Sequence, residues 1–162
     1  MASTITLKRR ITSIKNTRQI TKAMELVSAS KLRRAQEYAT ASRAYGELAN
    51  DLLARLASIP EVSRQPLFET REVKNRLYIV VTSNSGLAGA YNANVLKQLT
   101  KALQADRDAK IKSHVIAVGN KGAQFVRRLS DVELAAVYPG FGDHPTANDV
   151  RPILNTLMNS FK

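Results

Sequence analysis

Leu77-Tyr78-Ile79-Val80-Val81-Thr82-Ser83-Asn84-Ser85-Gly86-Leu87-Ala88-Gly89 packs three kinds of backbone signal into one short stretch. Leu77 to Thr82 is a continuous apolar, β-branched run, which predicts a strand buried on both faces. Ser83 to Gly86 is a turn, and a helical pattern follows from about Gly89 to Ala105. The same order recurs downstream. Ser113 to Val118 predicts a second strand, and Gly119-Asn120-Lys121-Gly122 opens a helix reaching about Leu129. Val132 to Tyr138 predicts a third strand, Pro139 to Gly142 a loop, and Asn148 to Phe161 a third helix. Strands alternating with helices through short loops predict an α/β fold, a parallel sheet covered by helices.

Working outward toward the N-terminus, the pattern changes. Residues 60–75 form a polar connector with Pro60 and Pro66, and before it Thr4 to Ile59 holds no proline and a single glycine, Gly46. A continuous helix over that span is roughly 80 Å long, more than a small domain can bury. Leu7, Ile11 and Ile14 recur at spacings of four and three, as do Tyr45, Leu48, Leu52, Leu56 and Ile59 at the far end. Each end therefore carries an apolar seam of coiled-coil type that calls for a partner helix. Between them the seam thins to Thr21, Ser28, Ala35, Ala39 and Ser42. The expected organisation is a long helix over 1–59, a connector over 60–75 and an α/β domain over 76–162.

Composition narrows the chemistry. The chain has 162 residues, 44% hydrophobic and 23% charged, with a formal net charge of +12. That is the composition of a folded protein whose partners are acidic: nucleic acid, an anionic membrane or an acidic protein surface. Residues 1 to 36 contain nine basic residues (Lys8, Arg9, Arg10, Lys15, Arg18, Lys22, Lys31, Arg33, Arg34) against Glu25 alone. The ordinary reading of a charged helix is a solvated face, but so one-sided an excess forgoes i,i+4 ion pairs and repels itself, which sets an acidic partner beside that reading. With no cysteine, disulfides, thiolate metal sites and thiol redox switches are excluded. The longest apolar runs fall far short of a membrane span, and the start lacks a secretory pattern.

Candidate sites are few. Ser85 to Ala90 follows a strand and precedes a helix as a phosphate loop does, yet it lacks the G-x-G-x-x-G spacing and the G-K-[ST] ending, so it reads as a tight turn. Gly119 to Gly122 has the form of a G-x-x-G nucleic-acid clamp, but it follows a strand rather than joining two helices. His114 reads as a satisfied core histidine, His144 beside Asp143 as loop decoration, and Asp106 and Asp108 as solvated acids at a helix end. No catalytic, cofactor or metal site is expected.

The run from Ile14 to Gln36, Ile-Lys-Asn-Thr-Arg-Gln-Ile-Thr-Lys-Ala-Met-Glu-Leu-Val-Ser-Ala-Ser-Lys-Leu-Arg-Arg-Ala-Gln, resembles the N-terminal helix of gamma subunits of F-type ATP synthases. Val80 to Asn92 and Val118 to Gly122 resemble that family's first two strands and their turns. The resemblance implies a central-stalk rotor subunit with no active site or cofactor of its own. Its N-terminal helix pairs with a C-terminal helix in an antiparallel coiled coil inside the alpha and beta subunits, and a Rossmann-like domain lies near the membrane. It implies the epsilon subunit and the c-ring as partners at the stalk foot. Contact with the membrane is then peripheral and indirect, through the Fo sector, at the cytoplasmic face of a bacterial plasma membrane.

By the same resemblance, Lys22, Met24, Lys31, Arg33 and Arg34 would meet the beta subunit, while nucleic acid is not expected as a partner. The rival reading is a basic nucleic-acid-binding α/β protein using the same helix and the Gly119–Gly122 turn. Relatives in that family continue past the equivalent of Lys162 with further strands and the second helix, so the sheet is expected to be incomplete. Leaving the Leu7–Ile11–Ile14 seam in water costs about 25 cal/mol per Å². The helix is expected to fray or to pair with a second copy; a sedimenting monomer with fully protected helical amides contradicts both.

Overall fold

The computed structural model describes residues 3–69, 71–142 and 145–161. The chain divides into two compact units, Met1–Glu69 and Thr70–Lys162.

The first unit is built on α1, Thr4–Ala57, a continuous helix of 54 residues. Ser3 caps its start, its hydroxyl accepting from the Ile5 amide at 3.3 Å. At the other end the Ser58 amide donates to the carbonyls of Arg55 and Leu56, and Pro60 lies just beyond. The helix ends two residues before the expected Ile59. Thr12, Thr17 and Thr21 turn their hydroxyls back onto carbonyls of the preceding turn, so they need no outside partner. None of its described residues is buried. A 3₁₀ turn, Val62–Arg64, follows.

The second unit runs β1 (Asn75–Val81), α2 (Tyr91–Asp108), β2 (Lys112–Val118), α3 (Asn120–Val126), β3 (Glu133–Tyr138) and α4 (Ala147–Phe161). The strands are parallel in the order β1-β2-β3, with Ile79 opposite Ile116 and Val118 opposite Tyr138. Right-handed crossovers that step one way across a sheet put their helices on one face. Accordingly α2 and α3 share a core with it: Val80, Leu99, Val115 and Val126. The opposite face packs Ile116 and Val118 against Ile153 of α4. A β-bulge at Ala135 lets Leu134 serve the first core and Ala136 the second.

Three sequence expectations are corrected. β1 is not buried on both faces: Val80 is buried, but Ile79 and Val81 remain 43% and 44% exposed. The reason is position, since β1 is an edge strand and the buried contact of α4 falls on β2. The second helix starts at Tyr91 rather than Gly89, because Gly89 sits at φ +54°, outside helical space.

Asp106, expected in solvent, is buried at 1% exposure. Its carboxylate accepts from Arg76, from the Tyr78 hydroxyl at 2.7 Å and from Ser113 at 2.9 Å. It thereby ties the end of α2 to the first residues of β1 and β2. Burial first, then the bond to Asp106, pushes the Tyr78 phenol above its ordinary pKa. Asp108 does stay exposed, accepting from Gln104.

The end of α2 is closed by Lys110 in the left-handed region at φ +58°, with Lys110 and Ile111 amides donating to Arg107 and Asp106 carbonyls. At the head of α4 the Asp149 carboxylate accepts from the Thr146 hydroxyl and amide, both at 2.7 Å. The Thr146 side chain first, then its backbone, holds this carboxyl below the usual range. The Arg71 guanidinium lies 4.5 Å above the Phe161 ring and donates to the Phe161 carbonyl, clasping the other end.

Asp106→Ala is expected to lower urea stability of the α/β unit by roughly 2–4 kcal/mol, because it orphans three buried or half-buried donors; Asp106→Asn is expected to lose less. A depressed carboxylate contributes stability above its unfolded pKa that is lost as pH falls through the folded one. Amide protection at the start of α4 is therefore expected to weaken on acidification below about pH 4 and not on raising the pH, with hydrogen exchange as the measure.

Candidate functional site

Open α/β sheets take ligands in the crevice at the carboxyl ends of their strands, where helix N-termini present free amides. Here the amides that open α3 are occupied by the chain itself. The Asn120 amide donates to Asn84 Oδ1 at 3.2 Å, Lys121 to the Ser83 carbonyl at 3.1 Å, and Gly122 to Thr82 Oγ1 at 2.8 Å. Asn84 Oδ1 also accepts from the Gly140 amide at 3.1 Å, tying the loop after β3 to the loop after β1. Asn92 brackets Ser83, accepting from its amide at 3.0 Å and donating to its hydroxyl at 2.8 Å.

Space at the opening turn of α3 is as fully used as its donors. Gly119 has φ +96°, and a Cβ there would lie 2.2 Å from the Thr82 carbonyl oxygen; at Gly122 it would meet the Thr82 hydroxyl at 3.0 Å. Both glycines are required by close approach of two backbones rather than by a ligand. The Gly119–Gly122 turn is buried at both glycines against Thr82, so it presents no backbone clamp for nucleic acid. The Ser85–Ala90 segment is likewise a strand-to-helix turn, with Leu87 at φ +61° and its side chain in solvent.

At the opposite end of the sheet a cavity of about 310 Å³ lies between the end of α2 and the starts of β2 and β3. Leu103 and Val132 line it, and its rim holds the Arg107–Asp131 and His114–Glu133 pairs, the latter 3.1 Å apart. His114 is thus a half-buried rim residue rather than a core one. Asp143 and His144 lie outside the described residues.

The remaining candidate surface is α1. Leu7, Ile11, Ile14, Tyr45, Leu48 and Leu52 are all exposed, and Leu56 is half-buried. Lys22, Met24, Lys31, Arg33 and Arg34 do not share one face. Helical geometry puts Lys22 and Arg33 on one side, Met24 and Lys31 on another, and Arg34 between them. The helix also finds more internal pairing than its composition implied. Lys22 reaches Glu25 at 3.0 Å and Arg33 reaches Glu37 at 3.1 Å, both exposed pairs.

The Thr82, Asn84, Asn92 and Asp106 networks are the part that sequence reasoning missed. Asparagines flanking a glycine-rich turn are a signal for such capping, but they do not name the amide each side chain reaches.

Compared with known proteins, residues 3–162 match a family model described as ATP synthase. The chain is 48% identical over 128 residues to the ATP synthase gamma chain of Opitutus terrae, covering 79% of this chain and 41% of that one. It is 40% identical over 161 residues to the gamma chain of Acidithiobacillus ferrooxidans, covering 99% and 56% respectively. To that of Moorella thermoacetica it is 38% identical over 161 residues, again 99% and 56%. The chain spans about half the length of the curated relatives it matches. A family match over nearly every residue, joined to a long solvent-facing helix followed by a parallel α/β sheet, means that the chain belongs to the ATP synthase gamma-chain family.

Proposed function

We propose that this chain serves as part of the central-stalk rotor of an F-type ATP synthase, with α1 as one strand of an antiparallel helical shaft. In this reading the shaft turns inside the alpha and beta subunits, driven by the proton-powered c-ring, and couples that rotation to ATP synthesis at the beta subunits. The chain itself carries no bond chemistry. The α/β unit sits at the stalk foot beside the epsilon subunit and the c-ring, peripheral to the membrane through the Fo sector, at the cytoplasmic face of a bacterial plasma membrane.

The observation that carries the reading is α1 itself: 54 helical residues with none of the described ones buried, in a chain matched along its length by gamma chains. A helix of this length without packing gains little beyond local propensity, and its apolar residues are stabilised only against a partner. The occupied amides at the head of α3 and at Gly140 support a scaffold role for that part of the sheet over a nucleotide site.

Lys22, Lys31, Arg33 and Arg34 then act as distributed, replaceable contacts to an acidic bearing on the beta subunit, with Met24 as an adaptable apolar one. Exposed ion pairs are worth about 0–1 kcal/mol each, which suits a shaft that must pass three copies of a partner without being held by any. Their spread around α1 fits a contact made at changing rotational angles.

Co-expression with alpha and beta subunits is expected to yield a complex that retains this chain. In an enzyme assembled with the full set of subunits, alanine at any one of Lys22, Lys31, Arg33 or Arg34 is expected to slow coupled ATPase by no more than about fivefold. Abolition by a single one of them sinks the distributed-contact reading. Titration with ATP is expected to leave the amides of residues 83–89 unshifted, and a saturating shift there would favour a nucleotide site instead.

A further inference from the structure

Two tetrapeptides of this chain share one pattern, a pair of arginines, an apolar residue and a hydroxyl: Arg9-Arg10-Ile11-Thr12 and Arg127-Arg128-Leu129-Ser130. Arginines three and two residues before a serine or threonine are what an arginine-directed protein kinase reads, through carboxylates that accept from the guanidinium forks. Sequence does not separate the two, but their surroundings do.

Thr12 lies inside α1, with its hydroxyl donating to the Lys8 carbonyl at 3.1 Å. A kinase takes its acceptor in an extended segment, so that the hydroxyl meets the γ-phosphate in line. Presenting Thr12 in that way requires unwinding the helix on both sides of it. Ser130 instead lies in irregular chain, beyond the end of α3 at Val126 and before the start of β3 at Glu133. It is exposed, as are both arginines, and among the described residues no ion pair joins Arg127 or Arg128. Presenting this segment disturbs the half-buried Leu129 and the closing turn of α3, where the Arg128 and Leu129 amides donate to the Phe125 and Val126 carbonyls.

The next residue, Asp131, accepts from the Ser130 hydroxyl at 2.8 Å through one oxygen and from Arg107 through the other. It thereby joins this loop to the end of α2 at the rim of the cavity. We propose that Ser130 is a phosphorylation site for an arginine-directed serine/threonine kinase, and that the phosphate takes Arg107 from Asp131. In the transfer, Ser130 Oγ forms a bond to the γ-phosphorus of ATP, the bond from that phosphorus to the bridging oxygen breaks, and ADP leaves. The hydroxyl proton, which Ser130 otherwise donates to Asp131, passes to the carboxylate of the kinase's catalytic base. A donor to Asp131 thus becomes a group of charge about −1.5 to −2 beside it. Like charges separate, and Arg107 meets the stronger anion together with Arg127 and Arg128. The kinase is of the class whose pocket beyond the acceptor is open to solvent, since an apolar pocket there would bury the Asp131 carboxylate.

The test uses the full chain, Mg²⁺ with ATP, and the purified catalytic domain of a calmodulin-dependent protein kinase, which reads arginine three residues before its acceptor. Phosphorylated residues are mapped and their rates followed by tandem mass spectrometry. Ser130 is expected to be modified about tenfold or more faster than Thr12. The R127A/R128A variant is expected to slow modification of Ser130 by about tenfold or more, the loss of two charge-assisted contacts, while leaving Thr12 unaffected. An unchanged thermal transition of the α/β unit establishes that this variant and S130A are folded. The Arg107 side-chain Nε–H resonance is expected to shift on phosphorylation, and to stay in place when S130A is treated alike.

No phosphate at Ser130, faster modification of Thr12, or a Ser130 rate indifferent to R127A/R128A overturns the site. A phosphorylated Ser130 with the Arg107 resonance unmoved overturns the exchange of partners.

Discussion

The α/β unit depends on the contact between Thr82 and the turn that opens α3. The last residue of the β1 run, Thr82 is buried, and its backbone and hydroxyl together hold β2 and α3: the amide and hydroxyl donate to Val118, and the hydroxyl accepts from Gly122. Only glycine at 119 allows the two backbones to come so close. Once they do, the first turn of α3 lies directly over the end of β1. The amides at the head of α3 are then already bonded within the protein. At that turn, packing and the use of the helix's first amides are one fact, not two.

Asp106 plays the matching part at the other end of the sheet. An acid near a helix C-terminus is opposed by the helix dipole, and burial adds to the penalty. Three donors from β1 and β2 offset this, and in doing so fix where α2 ends relative to the strands on either side of it. The unit is thus held by apolar cores on both faces of the sheet and by a polar knot at each end of its strands. That is a rigid scaffold, built of contacts internal to the chain.

α1 follows the opposite logic. Its hydroxyls and a few of its charges are satisfied within the helix, yet its apolar seam and most of its positive charge are turned outward. In the shaft reading proposed above, the α/β unit keeps its shape while the long helix is completed by partners.

The sequence by itself determined the element types and their order, because those rest on local periodicity and on Gly and Pro placement. The proline-free start gave α1 to within two residues at its end, and the three apolar runs gave the strands. It also determined the family, through the unbroken match from Ile14 to Gln36, and the uneven charge of the long helix. Only the tertiary structure decided which faces those elements bury. Leu77 to Thr82 reads as a fully buried strand, but its flanking position in the sheet leaves Ile79 and Val81 half open. Asp106 reads as a solvated acid, yet its donors come from residues 28 to 30 positions away as well as from the nearby Ser113. Likewise, no spacing tells that Asn84 joins Asn120 to Gly140. Such contacts depend on which strands become neighbours, and that is set by the packing of the whole sheet rather than by any window of residues.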